Sequence, residues 1–137
     1  MAIEAAAAAD AAEVVALWRD CGLTRPWNDP DADFRRALDC SGSTILVARE
    51  AGALSASVMA GYDGHRGWIY YLAVAPGRRR CGLGRAMMEA AEAWLAAQGA
   101  PKLQLMVRDD NGEAIAFYRS LGLEVQKVAV LGRFLQG

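Results

Sequence analysis

The sequence predicts an α+β fold, in which a mixed and mostly antiparallel sheet of about six to seven strands carries helices on both faces. The chain has 137 residues, of which 54% are hydrophobic, and this is enough for one core and a single domain over residues 1–137. Early apolar runs that are joined by short turns indicate antiparallel hairpins. A later strand, helix and strand between Trp68 and Val107 indicate a right-handed parallel crossover.

Helix boundaries are marked by capping residues. Asp10 and Glu13 have the spacing of a capping box, and Asp29 with Pro30 forms an N-cap followed by a first-turn proline. Glycines stand just beyond the predicted C-terminal ends. The predicted helices are 10–21, 29–40, 83–98 and 112–121.

Strands are predicted wherever short apolar runs lie between turn residues. Ala51 and Gly52 form the turn of one hairpin, and residues 63–67 form a second turn in which Asp63 and His65 have a structural role. The predicted strands are 1–6, 44–49, 54–62, 68–74, 102–107 and one or two strands within 123–134.

A basic, glycine-containing turn, Val74–Arg85, joins a strand to an amphipathic helix. Backbone N–H groups at a helix N-terminus, surrounded by cationic side chains, bind phosphate. Leu83 and Gly84 stand where a Walker A loop needs Lys and Ser or Thr, and Met87 stands where a dinucleotide fingerprint needs glycine. Both nucleotide motifs are therefore excluded, and a solvated basic turn remains the alternative to a phosphate site.

Four segments of the chain carry a family resemblance. Arg79-x-x-Gly82-x-Gly84 resembles the pyrophosphate loop of the GNAT superfamily of acyl-CoA N-acyltransferases, and residues 111–123 resemble that family's Asn-x-x-Ala-x-x-Phe-Tyr-x-x-Leu-Gly-Phe helix, with Leu123 as the departure. Residues 25–30 and 61–67 are similar to the small YpeA-type bacterial acetyltransferases. The resemblance implies a three-layer GNAT-like fold with a splayed central strand pair.

Acetyl-CoA is the cofactor that this resemblance implies, with coenzyme A as product. Glycine lets the main chain approach a pyrophosphate, and arginines add charge-assisted contacts. The strand before the loop would pair with the pantetheine arm, and one of its N–H groups would polarise the thioester carbonyl. The implied cofactor-binding residues are Leu72, Ala73, Val74, Arg79, Arg80, Cys81, Gly82, Leu83, Gly84, Arg85 and Asn111.

Tyr118 occupies the position at which the family carries its general acid. A phenol with an ordinary pKa of about 10 is protonated at neutral pH and can donate to the leaving thiolate. The alternative is a tyrosine that only anchors the helix or binds the cofactor. No general base is evident, because the strand from Trp68 to Val74 contains no carboxylate, and a water relay is expected.

The acceptor is expected to bind near Arg25, Trp27 and Tyr71. Arg25 suits an anionic group and Trp27 an apolar or cationic one, although Trp27 could equally pack its loop. The implied function is direct transfer of an acetyl group from acetyl-CoA to a primary amine of a small molecule. Two alternatives stay open, a protein N-terminal or lysine acetyltransferase and a catalytically silent acyl-CoA-binding module.

Composition excludes several other classes of protein. A formal net charge of -1 gives no general attraction to nucleic acid, and no apolar run reaches membrane length. The three cysteines lack metal-ligand spacing and suit free thiols in a reducing bacterial cytoplasm. No metal is expected, and an edge strand near the C-terminus is compatible with a homodimer.

Overall fold

A computed structural model describes residues 2–135, so Met1, Gln136 and Gly137 lie outside the described residues, including the first residue of the first predicted strand. The described chain forms two compact units, one that ends at Met106 and one that begins at Val107. The elements of the first unit are β1 (Ala2–Ala5), α1 (Ala11–Asp20), α2 (Pro30–Asp39), β2 (Ser43–Glu50), β3 (Ala53–Tyr62), β4 (Gly67–Val74), α3 (Leu83–Gln98) and β5 (Leu103–Leu105). The second unit contains α4 (Gly112–Ser120).

The sheet confirms the predicted α+β class. Its strands lie in the order β1-β2-β3-β4-β5, with antiparallel pairing from β1 to β4 and parallel pairing between β4 and β5. Ala51 and Gly52 have φ values of 51° and 81° at the turn between β2 and β3, as a tight hairpin requires. The strand–helix–strand unit β4-α3-β5 forms the predicted parallel crossover.

Helices pack on both faces of this sheet. On one face, α1 and α2 bury Trp18 and Phe34 against Ile45 and Val47 of β2. On the other face, α3 approaches β4 so closely that a Cβ added at Gly67 would lie 2.9 Å from a Leu95 methyl carbon. The close approach explains why glycine begins β4.

The parallel pairing of β4 and β5 covers only part of β4. Their register covers only Gly67–Ile69 of β4 opposite Leu103–Leu105. Beyond Ile69, β4 continues to Val74 while its pairing with β5 has ended. Residues 70–74 therefore have no partner in β5, and the Val74 carbonyl accepts from the Cys21 thiol at 3.3 Å and from the Arg79 Nε at 3.4 Å.

A β-bulge interrupts β4 at the same place. Met59 of β3 pairs with Tyr70, whereas Ser57 pairs with Ala73, so two residues of β4 stand opposite one residue of β3. Tyr71 lies in the bulge with φ of 53°, a left-handed conformation that is uncommon for a bulky residue. The bulge changes the direction of the side chains that follow Tyr70.

The sheet has five strands among the described residues, fewer than the predicted six to seven. The missing strands are those expected within 123–134, where the described residues are irregular. The apolar side chains that suggested them are exposed, with Val128 at 75%, Val130 at 70% and Leu131 at 90%. An apolar run forms a strand only where a neighbouring strand pairs with it and a core covers one face.

The predicted capping box at the start of α1 is wrong. The chain enters α1 through a 3₁₀ turn, so Asp10 is already helical and its carboxylate accepts from the Ala7 N–H at 2.8 Å instead. Asp10 and Glu13 both bind Arg49 of β2, at 2.8 and 2.9 Å. This Arg49 cluster (Asp10, Glu13 and Arg49) ties α1 to the sheet. The hydrogen bond from the Ala7 N–H, and then Arg49, lower the pKa of Asp10, and the hydrogen bond from Arg49 lowers the pKa of Glu13.

Candidate active site

The predicted phosphate loop follows β4 and forms a short 3₁₀ turn at Pro76–Arg78 before α3 begins at Leu83. Arg80 and Gly82 have left-handed φ values of 65° and 81°, on either side of Cys81. Left-handed residues in a turn direct successive N–H groups into one concavity, which is the geometry of an anion-binding nest. Nothing lies within 4 Å of a Cβ built at Gly82, so the space there is open.

The arginines of the loop have different partners. Arg78 pairs with Glu50 at 3.0 Å, and the Arg79 Nε donates to the Val74 carbonyl at 3.4 Å. The Cys81 thiol donates to the Arg78 carbonyl at 2.6 Å and so closes the turn. Leu83 is buried, so only its backbone can contact a ligand. The open nest and its basic side chains fit a pyrophosphate.

An open-mouthed cavity of about 510 Å³ lies on the α2 side of the sheet. Tyr70 and Tyr71 both line it, although they are consecutive in the chain, because the bulge cancels the alternation of the strand. Asn28 and Ser43 add polar groups to its wall. The remaining polar lining comes from α2 and is charged.

Two side chains of α2, Asp33 and Arg36, supply this charge. The Asp33 Oδ1 accepts from the Arg36 Nη2 at 2.6 Å, and the Asp33 Oδ2 accepts from the Tyr71 hydroxyl at 2.8 Å. Sequence reasoning missed both residues. A first-turn acid and an i, i+3 arginine are ordinary features of an exposed helix, and only the contact with Tyr71 distinguishes them.

Tyr71, predicted to bind the acceptor, lines the cavity and is held from two directions. Its ring stacks on Trp18 with centroids 3.9 Å apart and planes 7° from parallel, and the Trp18 Nε1 donates to the Ser57 hydroxyl. Burial, and then the bond to Asp33, raise the pKa of Tyr71 above its ordinary value. The phenol therefore stays protonated and remains a donor to Asp33.

Arg25 and Trp27, the other predicted acceptor residues, lie in the loop between α1 and α2 and are not among the lining residues of this cavity. Arg25 donates to the carbonyls of Gly22 and Thr24, both at 2.9 Å, and so stabilises its own loop. Trp27 is 56% exposed. The same loop does reach the cavity, through Asn28.

Tyr118 lies on α4 in the second unit. Asn111 caps this helix, as predicted, by accepting from the Ala114 N–H at 3.1 Å, and Gly122 ends it with φ of 91°. Tyr118 packs edge-on against Phe117, with ring centroids 5.1 Å apart. Burial raises the pKa of Tyr118 to about 12, so its hydroxyl is protonated at neutral pH.

The remaining expectations concern turns, metals and membranes. Asp63 accepts from the N–H groups of His65 and Arg66, which confirms the predicted turn. Among the described residues, no cluster of three or more His, Cys, Asp or Glu side chains could hold a metal, and the three cysteines are free. No helix in the described part of the chain is both long and apolar enough to cross a membrane.

Comparison with known proteins gives matches along most of the chain. The sequence profile of the acetyltransferase (GNAT) family matches residues 11–123. An acetyltransferase of Yersinia enterocolitica is 47% identical over 126 residues, which are 92% of this chain and 89% of that protein.

Solved structures resemble the fold. AAC(6')-Iy, in complex with the bisubstrate analog CoA-S-monomethyl-acetylneamine, superposes with a TM-score of 0.82 at 15% identity and 97% coverage of each chain. An aminoglycoside antibiotic 6'-N-acetyltransferase from Acinetobacter haemolyticus has a TM-score of 0.80 at 22% identity, covering 99% of this chain and 100% of the other. Identities this low support the fold alone.

Proposed function

The chain belongs to the GNAT family of acetyltransferases, and we propose that it transfers the acetyl group of acetyl-CoA directly to a primary amine of a small molecule. The cavity of about 510 Å³ beside the bulge of β4 carries this proposal. Small-molecule sites usually enclose about 300–1,000 Å³, whereas a peptide needs an extended groove. A volume within this range supports a small acceptor, and the open mouth keeps a protein amine as the alternative that the assay below distinguishes.

Cofactor binding is proposed for the nest after β4. The N–H groups of residues 80–84 would hold the pyrophosphate, and Arg79, Arg80 and Arg85 would add charge-assisted contacts. The stretch of β4 that has no partner in β5, including Leu72, Ala73 and Val74, would hydrogen bond to the peptide-like arm. Bound acetyl-CoA would supply the activated thioester. Asn111 is engaged in capping α4, and a cofactor contact from it would be additional.

The proposed reaction has two requirements. The acceptor nitrogen must be neutral when it attacks the acetyl carbon, and the thiolate must be stabilised when the carbon–sulfur bond breaks. The strand from Trp68 to Val74 contains no carboxylate that could act as a general base, so we assign the first proton to water. No cysteine lies in the cavity wall among the described residues, which favours direct transfer over an acyl-enzyme.

We propose that Tyr118, whose hydroxyl is protonated at neutral pH, stabilises the leaving thiolate. An ordinary thiol has a pKa of about 8.5, roughly 3 to 4 units below that of the buried phenol. Complete proton transfer is therefore uphill, and the hydroxyl acts mainly by donating a hydrogen bond to the developing charge. This places its catalytic contribution at the low end of the range for a general acid.

Calorimetric titration with acetyl-CoA, followed by a coenzyme A release assay over a panel of amines, tests the proposal. Arg79→Ala and Gly82→Asp should each weaken binding at least about tenfold, whereas Arg78→Ala, in the same loop but paired with Glu50, should not. A folded wild-type protein that does not bind acetyl-CoA would contradict the transferase function. Binding without turnover of any amine would indicate a silent module, and turnover of peptides alone would indicate a protein substrate.

A further inference from the structure

The cavity beside Tyr71 carries two opposite charges, and this arrangement bears on the class of acceptor. We propose, on the basis of the function above, that the acceptor is a zwitterion of the amino-acid type, with an anionic group a few bonds from the amine that is acetylated. Asp33 binds the ammonium form of that amine, and Arg36 binds the anionic group.

Charge balance is the first argument. Asp33 and Arg36 are the charged side chains that line the cavity among the described residues, so the lining carries no net charge. A simple cationic amine would gain from Asp33 but would face the Arg36 guanidinium. A ligand that carries both signs satisfies both side chains, and Arg binds a carboxylate through two parallel hydrogen bonds.

The second argument is that the two charges can be separated at little cost. The pair spans one helical turn, and the side chain of Arg36 is 72% exposed while that of Asp33 is 23% exposed. Pairs of this kind contribute only a small stabilisation, because water screens them and the long side chain loses entropy when it is held. A ligand with its own charges can therefore replace the contact between them.

The third argument is that one member of the pair is fixed and the other is not. The Tyr71 hydroxyl holds the second oxygen of Asp33, and the Tyr71 ring is held by Trp18. When Arg36 turns to an incoming anion, Asp33 stays in place with its first oxygen open to an ammonium. The carboxylate of Asp33 therefore keeps its position when a ligand binds, whereas the guanidinium of Arg36 moves to contact the anionic group.

The position of this pair also suits the reaction. Asp33 hydrogen bonds to Tyr71, which immediately precedes the stretch of β4 proposed to hold the thioester arm. After the ammonium loses one proton to water, the nitrogen lone pair forms the carbon–nitrogen bond and the carbon–sulfur bond breaks. The nitrogen then loses a second proton to give the neutral amide, and this proton balances the one that converts the leaving thiolate into coenzyme A. The anion remains on Arg36 throughout and fixes the orientation of the amine.

Steady-state coenzyme A release with amino acids and with their methyl esters tests the proposal, since an ester keeps the amine and loses the anion. The wild type should favour some free amino acid over its ester in kcat/KM by at least about tenfold, the lower bound for one charge-assisted hydrogen bond. In Arg36→Gln this ratio should fall to near one, mainly through KM, and Arg36→Lys should restore part of it. Arg35→Gln, its exposed neighbour outside the cavity, is the matched control and should keep the wild-type ratio.

A wild type that acetylates esters or polyamines as well as it acetylates every amino acid would overturn the inference and leave the proposed function standing. A ratio that survives in Arg36→Gln would also overturn it. Acetyl-CoA binding without acetylation of any amine would remove the proposed function and this inference together.

Discussion

The hydrogen bond between Tyr71 and Asp33 offers a direct test of how the cavity wall is built. Tyr71→Phe removes the hydroxyl that donates to the Asp33 Oδ2 at 2.8 Å and keeps the ring that stacks on Trp18 at 3.9 Å. Hydrogen bonds to charged groups contribute about 1.5–3 kcal/mol when buried. Because this pair is only partly buried, we expect a loss of about 1–1.5 kcal/mol in the free energy of unfolding.

Urea denaturation of the two single variants and the double variant measures this interaction. Asp33→Ala also changes the start of α2 and frees Arg36, but those effects occur in both backgrounds and cancel in the cycle. The coupling energy between positions 33 and 71 should be about 1 kcal/mol. Tyr70→Phe, the neighbouring tyrosine in the same cavity, is the control and should show no coupling with Asp33. A coupling below about 0.3 kcal/mol for Tyr71 would refute the reasoning.

Three further predictions concern catalysis, packing and pH. Tyr118→Phe should lower kcat about 100-fold while calorimetry finds acetyl-CoA binding unchanged; an unchanged kcat would exclude the assigned role. Gly67→Ala should lower the free energy of unfolding, measured by urea denaturation, by about 1–3 kcal/mol, because the new Cβ overlaps a buried leucine. Gly61→Ala should lower it less, because its new Cβ meets only an ordinary contact at 3.7 Å. The carboxyl groups of the Arg49 cluster have folded pKa values below their unfolded values of about 4, so their contribution is present above that pH and is lost on acidification. Below about pH 4 the melting temperature of Arg49→Gln should therefore fall less steeply than that of the wild type. An equally steep fall in both proteins would argue against the cluster.

Much of the first unit follows from local patterns. The N-cap at Asp29, the hairpin turn at Ala51 and Gly52 and the Asp63 turn each satisfy backbone groups within a few residues, so the neighbouring letters are enough to predict them. The predictions that failed depend on distant partners. Asp10 has the spacing of a capping residue, but its carboxylate is drawn to an arginine in β2 that lies far along the chain.

The strand prediction for the C-terminal region is wrong for a related reason. Residues 123–131 are mostly apolar and contain three valines, which is typical of a strand, yet this composition indicates only that one face could be buried. A strand also needs a hydrogen-bonded neighbour, and this requirement is not written in the segment itself. The strand count therefore depended on tertiary pairing that local reasoning could not supply.

The candidate site also has one part that could be predicted from the sequence and one part that could not. The loop that we propose to bind phosphate could be predicted, because its glycine and basic residues lie within one short turn. The acceptor cavity could not be predicted from the sequence, because it depends on the bulge that lets Tyr70 and Tyr71 line one wall. Strict alternation would place these two side chains on opposite faces of β4.

No glycine marks the bulge, since Tyr71 itself adopts the left-handed conformation. Such a conformation costs about 1–2 kcal/mol for a residue with a Cβ, and it persists only where the surroundings compensate for it. Here the stack on Trp18 and the bond to Asp33 supply that compensation. It follows that the residue which shapes the acceptor cavity is stabilised by the same carboxylate that we expect to bind the acceptor. A substitution at Asp33 should therefore change both the conformation of β4 and the choice of substrate.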